Sequence, residues 1–291
     1  MRFLRSLCCL ASSHEPIIDL ANSPDPRSPG AKAVVPPKLT DEPYTSKATE
    51  RLFESYADED DPSVIGPEGF EHLFNDAQIP LDGPMPLLLA WQLSEAEMAK
   101  ISKENWAKGM DELQISSLAV LALSLNELHD LIILMKPPIV PSGPKKPGEA
   151  KEPYNRRRYW SYSRDPREAF GEFYSSCYKL AARPGSRNIE METAQTLWTV
   201  ILAPTQPTVI EVVEFINEAG SYKAVNKDLW AMMLEFCRTI NSDLSNYEAD
   251  VLSLPAAHFL PVQAWPTMID DFVEWKKAKD RPLGERTVNV D

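Results

Sequence analysis

Asp58-Glu59-Asp60-Asp61-Pro62-Ser63-Val64-Ile65-Gly66-Pro67-Glu68-Gly69-Phe70-Glu71-His72-Leu73-Phe74-Asn75-Asp76-Ala77 is the stretch on which the fold class turns. After the acidic turn, Pro67 suits a first helical position, where its missing N–H costs nothing. Phe70, Leu73, Phe74 and Ala77 then recur at i, i+3, i+4 and i+7, the apolar stripe of an amphipathic helix. On the other side of the turn, Leu52, Phe53 and Tyr56 share a helical face. An acidic loop between two helices invites a calcium test. An EF-hand loop needs oxygen ligands at positions 1, 3 and 5, Gly at 6 and a bidentate Glu at 12. Counting from Asp58 places Asp60 at 3, but Pro62 at 5, Ser63 at 6 and Gly69 at 12. Ile65 falls at position 8, where an apolar residue suits pairing. The expectation is an EF-hand-like N-terminal half that lacks metal ligands.

Working outward, helical periodicity persists. Pro86-Leu87-Leu88-Leu89-Ala90-Trp91-Gln92-Leu93 is apolar on all sides, as in a buried helix. Ser102 is an N-cap for a helix lined by Trp106, Met110 and Leu113. A Leu-rich helix is predicted over Ser116–Met135. Further helical patterns carry Phe170, Phe173, Tyr174 and Cys177, then Met191–Leu202, Val209–Ala219 and Asn226–Ile240. A last helix opens at Pro266 with Ile269, Phe272, Val273 and Trp275. No strand alternation approaches this strength, so the chain is predicted to be an all-α, multi-helix globule.

Many of the 26 prolines fall at 16–45 and 137–153. Residues 1–44 read as a disordered tail, 45–279 as the folded domain and 280–291 as a C-terminal tail. Residues 136–168, with Arg156-Arg157-Arg158, read as an exposed Pro/basic insertion. The formal charge of −13 opposes nucleic-acid binding, which needs cations against phosphates, and is compatible with a basic protein partner. No apolar run of membrane-spanning length occurs. The N-terminal apolar run is too short, and broken by Arg5, for a signal peptide. Cys8 and Cys9, beside Arg2 and Arg5, are candidate lipidation sites.

Chemistry-bearing motifs are lacking. The four cysteines have no CxxC or Cys/His ligand spacing, so no zinc site and no disulfide framework is expected. Cys177 and Cys237 lie on apolar helix faces, where inert packing is the default. His14 falls in the tail, His72 and His129 on polar helix sides and His258 in a loop. There is no GxSxG, phosphate-cradling glycine loop or HExxH. The expectation is a chain that is not an enzyme and takes no cofactor.

Several segments together resemble the potentiating-neddylation domain of the defective-in-cullin-neddylation family. They are Ile65-Gly66-Pro67-Glu68-Gly69-Phe70, Leu88-Leu89-Ala90-Trp91, Gly109-Met110 with Glu112-Leu113, and Phe173-Tyr174. Ile189-Glu190-Met191-Glu192 with Leu197-Trp198, Lys227-Asp228-Leu229-Trp230 and Ser245-Asn246-Tyr247 follow. Ala264-Trp265-Pro266 leading to Ile269-Asp270-Asp271-Phe272-Val273-Glu274 completes the set. The resemblance covers roughly residues 45–277. It implies a scaffold-type co-ligase that binds the C-terminal domain of a cullin and the N-terminally acetylated conjugating enzyme of a ubiquitin-like modifier. Such a protein acts by orientation, holding donor near acceptor.

The resemblance places an acidic cullin-binding patch on Asp228, Ala264 and Asp270. Two carboxylates attract a basic partner; read as residues alone, both aspartates are better explained as favouring helix N-termini, and it is the resemblance that favours the patch. It also places a pocket for an acetylated methionine on Phe70, Leu89, Ala90, Leu93, Met98, Ala99, Ile101, Leu180, Leu197 and Val200, with Met98, Ala99 and Ile101 at the rim. Acetylation removes the terminal charge that burial would penalise. The family often has aromatics at Leu93, Ile101, Leu180 and Leu197, so a differently shaped pocket is implied here. Residues 248–263 are longer than the family's usual link. The other reading of the residues is a metal-free EF-hand-like peptide-binding adaptor unrelated to cullins. Cytoplasm and nucleus are both compatible with either reading.

Overall fold

Side-chain caps at Thr45, Ser102, Ser117 and Asn226 set four helix starts in this computed structural model, which describes residues 43–140, 152–183, 185–247 and 265–280. The chain divides into two compact units, residues 1–169 and 170–291. Cys8, Cys9, Ala264, His14, His258 and the segment 248–263 lie outside the described residues, as does most of either tail.

In the first unit, α1 (Ser46–Glu54) starts at Thr45, whose hydroxyl accepts from the Ala48 N–H at 3.2 Å. The acidic turn follows. Asp58 accepts from the Asp60 N–H and Asp61 from the Ser63 N–H, both at 3.0 Å, so these carboxylates brace their own loop. A two-residue strand, β1 (Val64–Ile65), leads into α2 (Pro67–Asp76), with Pro67 at its start. Next come α3 (Met85–Leu93), β2 (Ile101–Ser102) and α4 (Lys103–Leu113). Ser102 caps α4 as its sequence position requires, accepting from the Asn105 N–H at 3.2 Å. β1 and β2 pair antiparallel, Val64 opposite Ser102 and Ile65 opposite Ile101. Two residues are too few to show strand alternation, which is why the sequence does not reveal them.

Eight of the nine α3 residues are buried, as its all-round apolar composition demands. The predicted long Leu-rich helix is shorter and bent in register. It consists of α5 (Leu118–Leu128) and a π-helical turn, His129–Ile133. His129 is not on a polar side but half-buried, and burial pulls its imidazole pKa below the usual value. Among the described residues no single helix is long and apolar enough to cross a membrane. The pair Lys103–Leu113 and Leu118–Ile133 qualifies only jointly and is broken by 77°.

Of the expected exposed Pro/basic insertion at 136–168, the described residues 136–140 are mostly exposed, whereas 152–168 is not a free loop: it is partly buried and two of its three consecutive arginines are tied down. Arg156 pairs with Glu127 through Nε and Oε2 at 2.8 Å, both side chains 11% exposed, and the Tyr154 hydroxyl donates to the same carboxylate at 2.5 Å. Arg158 reaches Glu112 Oε1 at 2.9 Å and the Gln92 carbonyl at 2.6 Å. A short helix, α6 (Arg157–Tyr162), is thereby fastened to the unit, with Tyr159 buried and Tyr162 stacked on Trp91 at 4.8 Å.

The boundary between the units falls within α7 (Pro166–Ala181). The second unit continues with β3 (Asn188–Glu190), α8 (Met191–Ile201), α9 (Thr208–Ala219), β4 (Ala224–Asn226), α10 (Lys227–Thr239) and α11 (Thr267–Lys279). β3 and β4 pair antiparallel around Ile189 opposite Val225. Asn226 caps α10, accepting from the Leu229 N–H at 2.7 Å. The core centres on Tyr174. Its ring stacks on Trp230 at 4.4 Å, and its hydroxyl accepts from Trp198 Nε1 and donates to the Trp230 carbonyl, each at 2.8 Å. A ladder of carboxylates on α9 grips α11. Glu211 pairs with buried Lys276, Glu214 with Lys279 at 2.7 Å, and Glu218 accepts from Trp275 Nε1 at 2.7 Å.

Candidate functional site

The segment between α3 and β2 carries the expected rim residues. It leaves α3 through Ser94 in the left-handed region (φ 58°) and turns again at Ala99 (φ 53°). Glu95 clasps it from within: its carboxylate accepts from the Ser102 N–H at 2.9 Å and from Asn105 Nδ2 at 3.1 Å. Burial nevertheless pushes the Glu95 pKa above its ordinary value, outweighing those bonds. Met98 and Ala99 are half-buried, in keeping with a rim. Ile101 is not at the rim; it is 1% exposed, held inside by its pairing with Ile65.

Phe70, Leu89, Ala90 and Leu93 are core residues of the first unit. Phe70 stacks on Phe74 at 4.6 Å. Leu93 is pressed against Gly109, where an added Cβ would come within 2.4 Å of its Cδ2, so glycine is what lets α3 and α4 approach there. Leu180, on α7, and Leu197, on α8, are buried in the second unit, and Val200 on α8 is half-buried. Seven of the ten candidate pocket residues thus belong to the first unit and three to the second.

The two described acidic candidates occupy equivalent places on two helices of the second unit. Asp228 lies in the first turn of α10 and Asp270 in the first turn of α11, both exposed, where a carboxylate is favoured by the helix dipole. Asp270 receives the Tyr247 hydroxyl in a short hydrogen bond, and the Tyr247 pKa rises through burial and that carboxylate. The next carboxylate, Asp271, accepts from the Tyr222 hydroxyl at 2.5 Å, pushing the Tyr222 pKa up to about 12 with burial as the larger cause. Asp228 likewise raises the pKa of Tyr178, after burial. The tyrosine clamps on Asp270 and Asp271 have no local signal in the sequence. Tyr247 lies 23 residues from Asp270 and Tyr222 lies 49 from Asp271, and no local spacing encodes such pairs.

Trp265 packs on Phe236 at 5.7 Å and on Tyr247 at 6.3 Å, and Phe236 meets Phe272 at 5.9 Å. The Trp-Pro entry to α11 is therefore an anchor that sets where Asp270 projects. Cys177 and Cys237 are buried free thiols, and burial raises both pKa values, Cys237 to about 12. A thiol so shifted is almost wholly protonated near neutrality and a poor nucleophile. Among the described residues no group of three or more His, Cys, Asp or Glu is placed to hold a metal.

A family model described as "Cullin binding" matches residues 156–275, a span that includes Asp228, Ala264 and Asp270. Over 242 residues the chain is 30% identical to the human protein named DCN1-like protein 4, covering 83% of this chain and 67% of that one. The zebrafish (Danio rerio) DCN1-like protein 4 is 30% identical over 82% of this chain and 69% of its own length. The chain belongs to the DCN1-like family. A fly (Drosophila melanogaster) DCN1-like protein 4, 28% identical, matches 80% of the chain and 75% of its own length. The DCN1-like likeness therefore reaches well beyond the family-model span, into the first unit that carries Glu95 and the rim.

Proposed function

We propose that this chain is a scaffold-type co-ligase of protein neddylation, binding a cullin through the second unit and an acetylated conjugating enzyme through the apolar residues around the 94–101 segment. The observation that carries the reading is the match of residues 156–275 to the cullin-binding family, coinciding with two exposed, tyrosine-clamped or tyrosine-flanked aspartates at helix N-terminal turns. In this reading Asp228 and Asp270 meet lysine or arginine side chains of the cullin, in charge-assisted hydrogen bonds that give both register and a faster encounter. Ala264 leaves room for close approach.

The chain contributes no nucleophile. Its gain is proximity: the donor thioester is held near the acceptor lysine. The pocket takes a terminus without charge, because an ammonium group would have to be stripped of water among Leu89, Ala90 and Leu93. Met98 and Ala99, half-buried on a segment clasped by Glu95, are the positions at which an incoming methionine would first make contact.

The test is titration calorimetry of the full chain with an N-terminally acetylated peptide from the conjugating enzyme and with the same peptide unacetylated. Preference for the acetylated form supports the pocket; equal binding, or none, removes it. In parallel, Asp270→Lys should abolish binding of a cullin C-terminal domain. Undiminished binding by that variant would remove the acidic patch from the reading.

A further inference from the structure

One open groove of the first unit carries arginines in an otherwise acidic chain. It is lined by Glu152, Tyr154, Asn155, Arg156, Arg157, Trp160, Ser161 and Arg164, with a volume of about 590 Å³. Its charges fall into two sets. Arg156 and Glu152 bind each other and Arg156 also binds Glu127, so they are spent on the fold. Arg157 and Arg164 are exposed, and among the described residues neither guanidinium lies within ion-pairing distance of a carboxylate. Between them stand Trp160, half-buried with its ring set edge-on to Tyr159 at 5.1 Å, and the exposed Ser161 hydroxyl.

The spacing selects a ligand. Arg157 opens α6 and Arg164 lies two residues past its end, where its N–H closes a turn on the Ser161 carbonyl at 3.3 Å; a rise near helical over that stretch puts the two arginine backbones on the order of 10 Å apart. A peptide in the polyproline II conformation turns once every three residues and advances about 9 Å in doing so. Acidic side chains three residues apart on such a peptide face the same way at nearly the arginine interval, and the residues between them present apolar rings to an aromatic floor. A β-strand fits less well, since its residues three apart point to opposite faces.

We infer that the groove is a docking site for an acidic, proline-containing peptide of a protein partner. Its carboxylates pair with Arg157 and Arg164, and its intervening residues pack on Trp160. Charge complementarity within a chain of net charge −13 is the ground: among the described residues the pair is not neutralised by an ion pair, although Glu152 lines the same groove. Its lining residues belong to the first unit, whereas Asp228 and Asp270 belong to the second.

The experiment is fluorescence anisotropy with the full chain and a labelled peptide carrying glutamate at every third position and proline between, capped at both ends. A matched peptide has glutamine for glutamate. The glutamate peptide should bind at least about tenfold more tightly, and the preference should shrink as salt rises, because the pairing charges are exposed. Arg157→Gln with Arg164→Gln should remove that preference while leaving circular dichroism unchanged, since neither side chain supports the fold. Trp160→Ala should weaken both peptides alike. Equal affinity for the two peptides, or binding that survives the double substitution, overturns the proposal. So does a chain that ignores the peptides but sediments with phosphatidylserine vesicles through the same arginines, which would assign the surface to a membrane.

Discussion

Replacing Tyr174 with phenylalanine removes one oxygen from the core of the second unit and breaks two hydrogen bonds at once. The ring stays, so packing against Trp230 at 4.4 Å is kept and no cavity larger than a hydroxyl opens. The Trp230 carbonyl lies within α10 and retains its place as a helical acceptor, so losing the tyrosine donor costs it about 1 kcal/mol. Trp198 is worse placed. Its indole N–H points at the Tyr174 hydroxyl, the side chain has no exposure, and without that oxygen the donor is buried and orphaned, at about 1–3 kcal/mol. The expected loss is therefore about 2–4 kcal/mol. Urea unfolding followed by near-ultraviolet circular dichroism reports on it, since Trp198 and Trp230 stack at 5.7 Å in the same cluster. The midpoint should fall with the slope unchanged. Tyr44→Phe, which removes an exposed bond to Asp111, is the control and should shift the midpoint little. A Tyr174→Phe shift no larger than the control's would refute the claim that the hydroxyl organises this core.

Three further outcomes follow from the first unit. Burial lowers the His129 pKa, so on acidification through about 6.5 the unfolded chain takes up a proton that the folded chain resists, and stability falls. His129→Gln should flatten that decline between pH 7.5 and 5.5, and parallel slopes in the two proteins would contradict it. Glu127→Gln leaves Arg156 short of its main counter-charge in a site where both side chains are 11% exposed, and should destabilise by about 3 kcal/mol, while the amide oxygen can still accept from the Tyr154 hydroxyl. Thermal unfolding no different from the parent would mean that the pair is solvated. Gly69→Ala places a Cβ 2.0 Å from the Tyr56 carbonyl oxygen, which is backbone and cannot swing aside, so a loss of about 1–3 kcal/mol is expected. Gly83→Ala, with nothing within 4 Å, should be neutral by the same measurement.

What was legible in the sequence was whatever is encoded within a few residues. Pro67, Ser102 and Asn226 announce helix starts because capping is a local bond, and the Phe70–Ala77 stripe announces a buried face because helical period is local too. What was missed depends on distant partners. Three consecutive arginines look like a solvated run, yet Arg156 and Arg158 are claimed by Glu127 and Glu112, 29 and 46 residues away. Ile101 looked like a rim residue until its pairing with Ile65 put it inside. At the candidate acidic surface, the positions of Asp228 and Asp270 were readable only through family likeness; their tyrosine neighbours were not readable at all.

The ring contact between Tyr247 and Trp265 has a consequence for how the chain can diverge. These two residues bracket positions 248–264, and their rings stack at 6.3 Å, so the ends of that stretch are already fastened together. The entropy of closing a chain segment grows only with the logarithm of its length, about 0.6 kcal/mol per doubling. Insertions and deletions between the fasteners are therefore nearly invisible to the fold, and Asp270 keeps its place while the intervening stretch drifts. Selection is left free to lengthen it, shorten it or recruit it for a new contact without relocating the helix that follows.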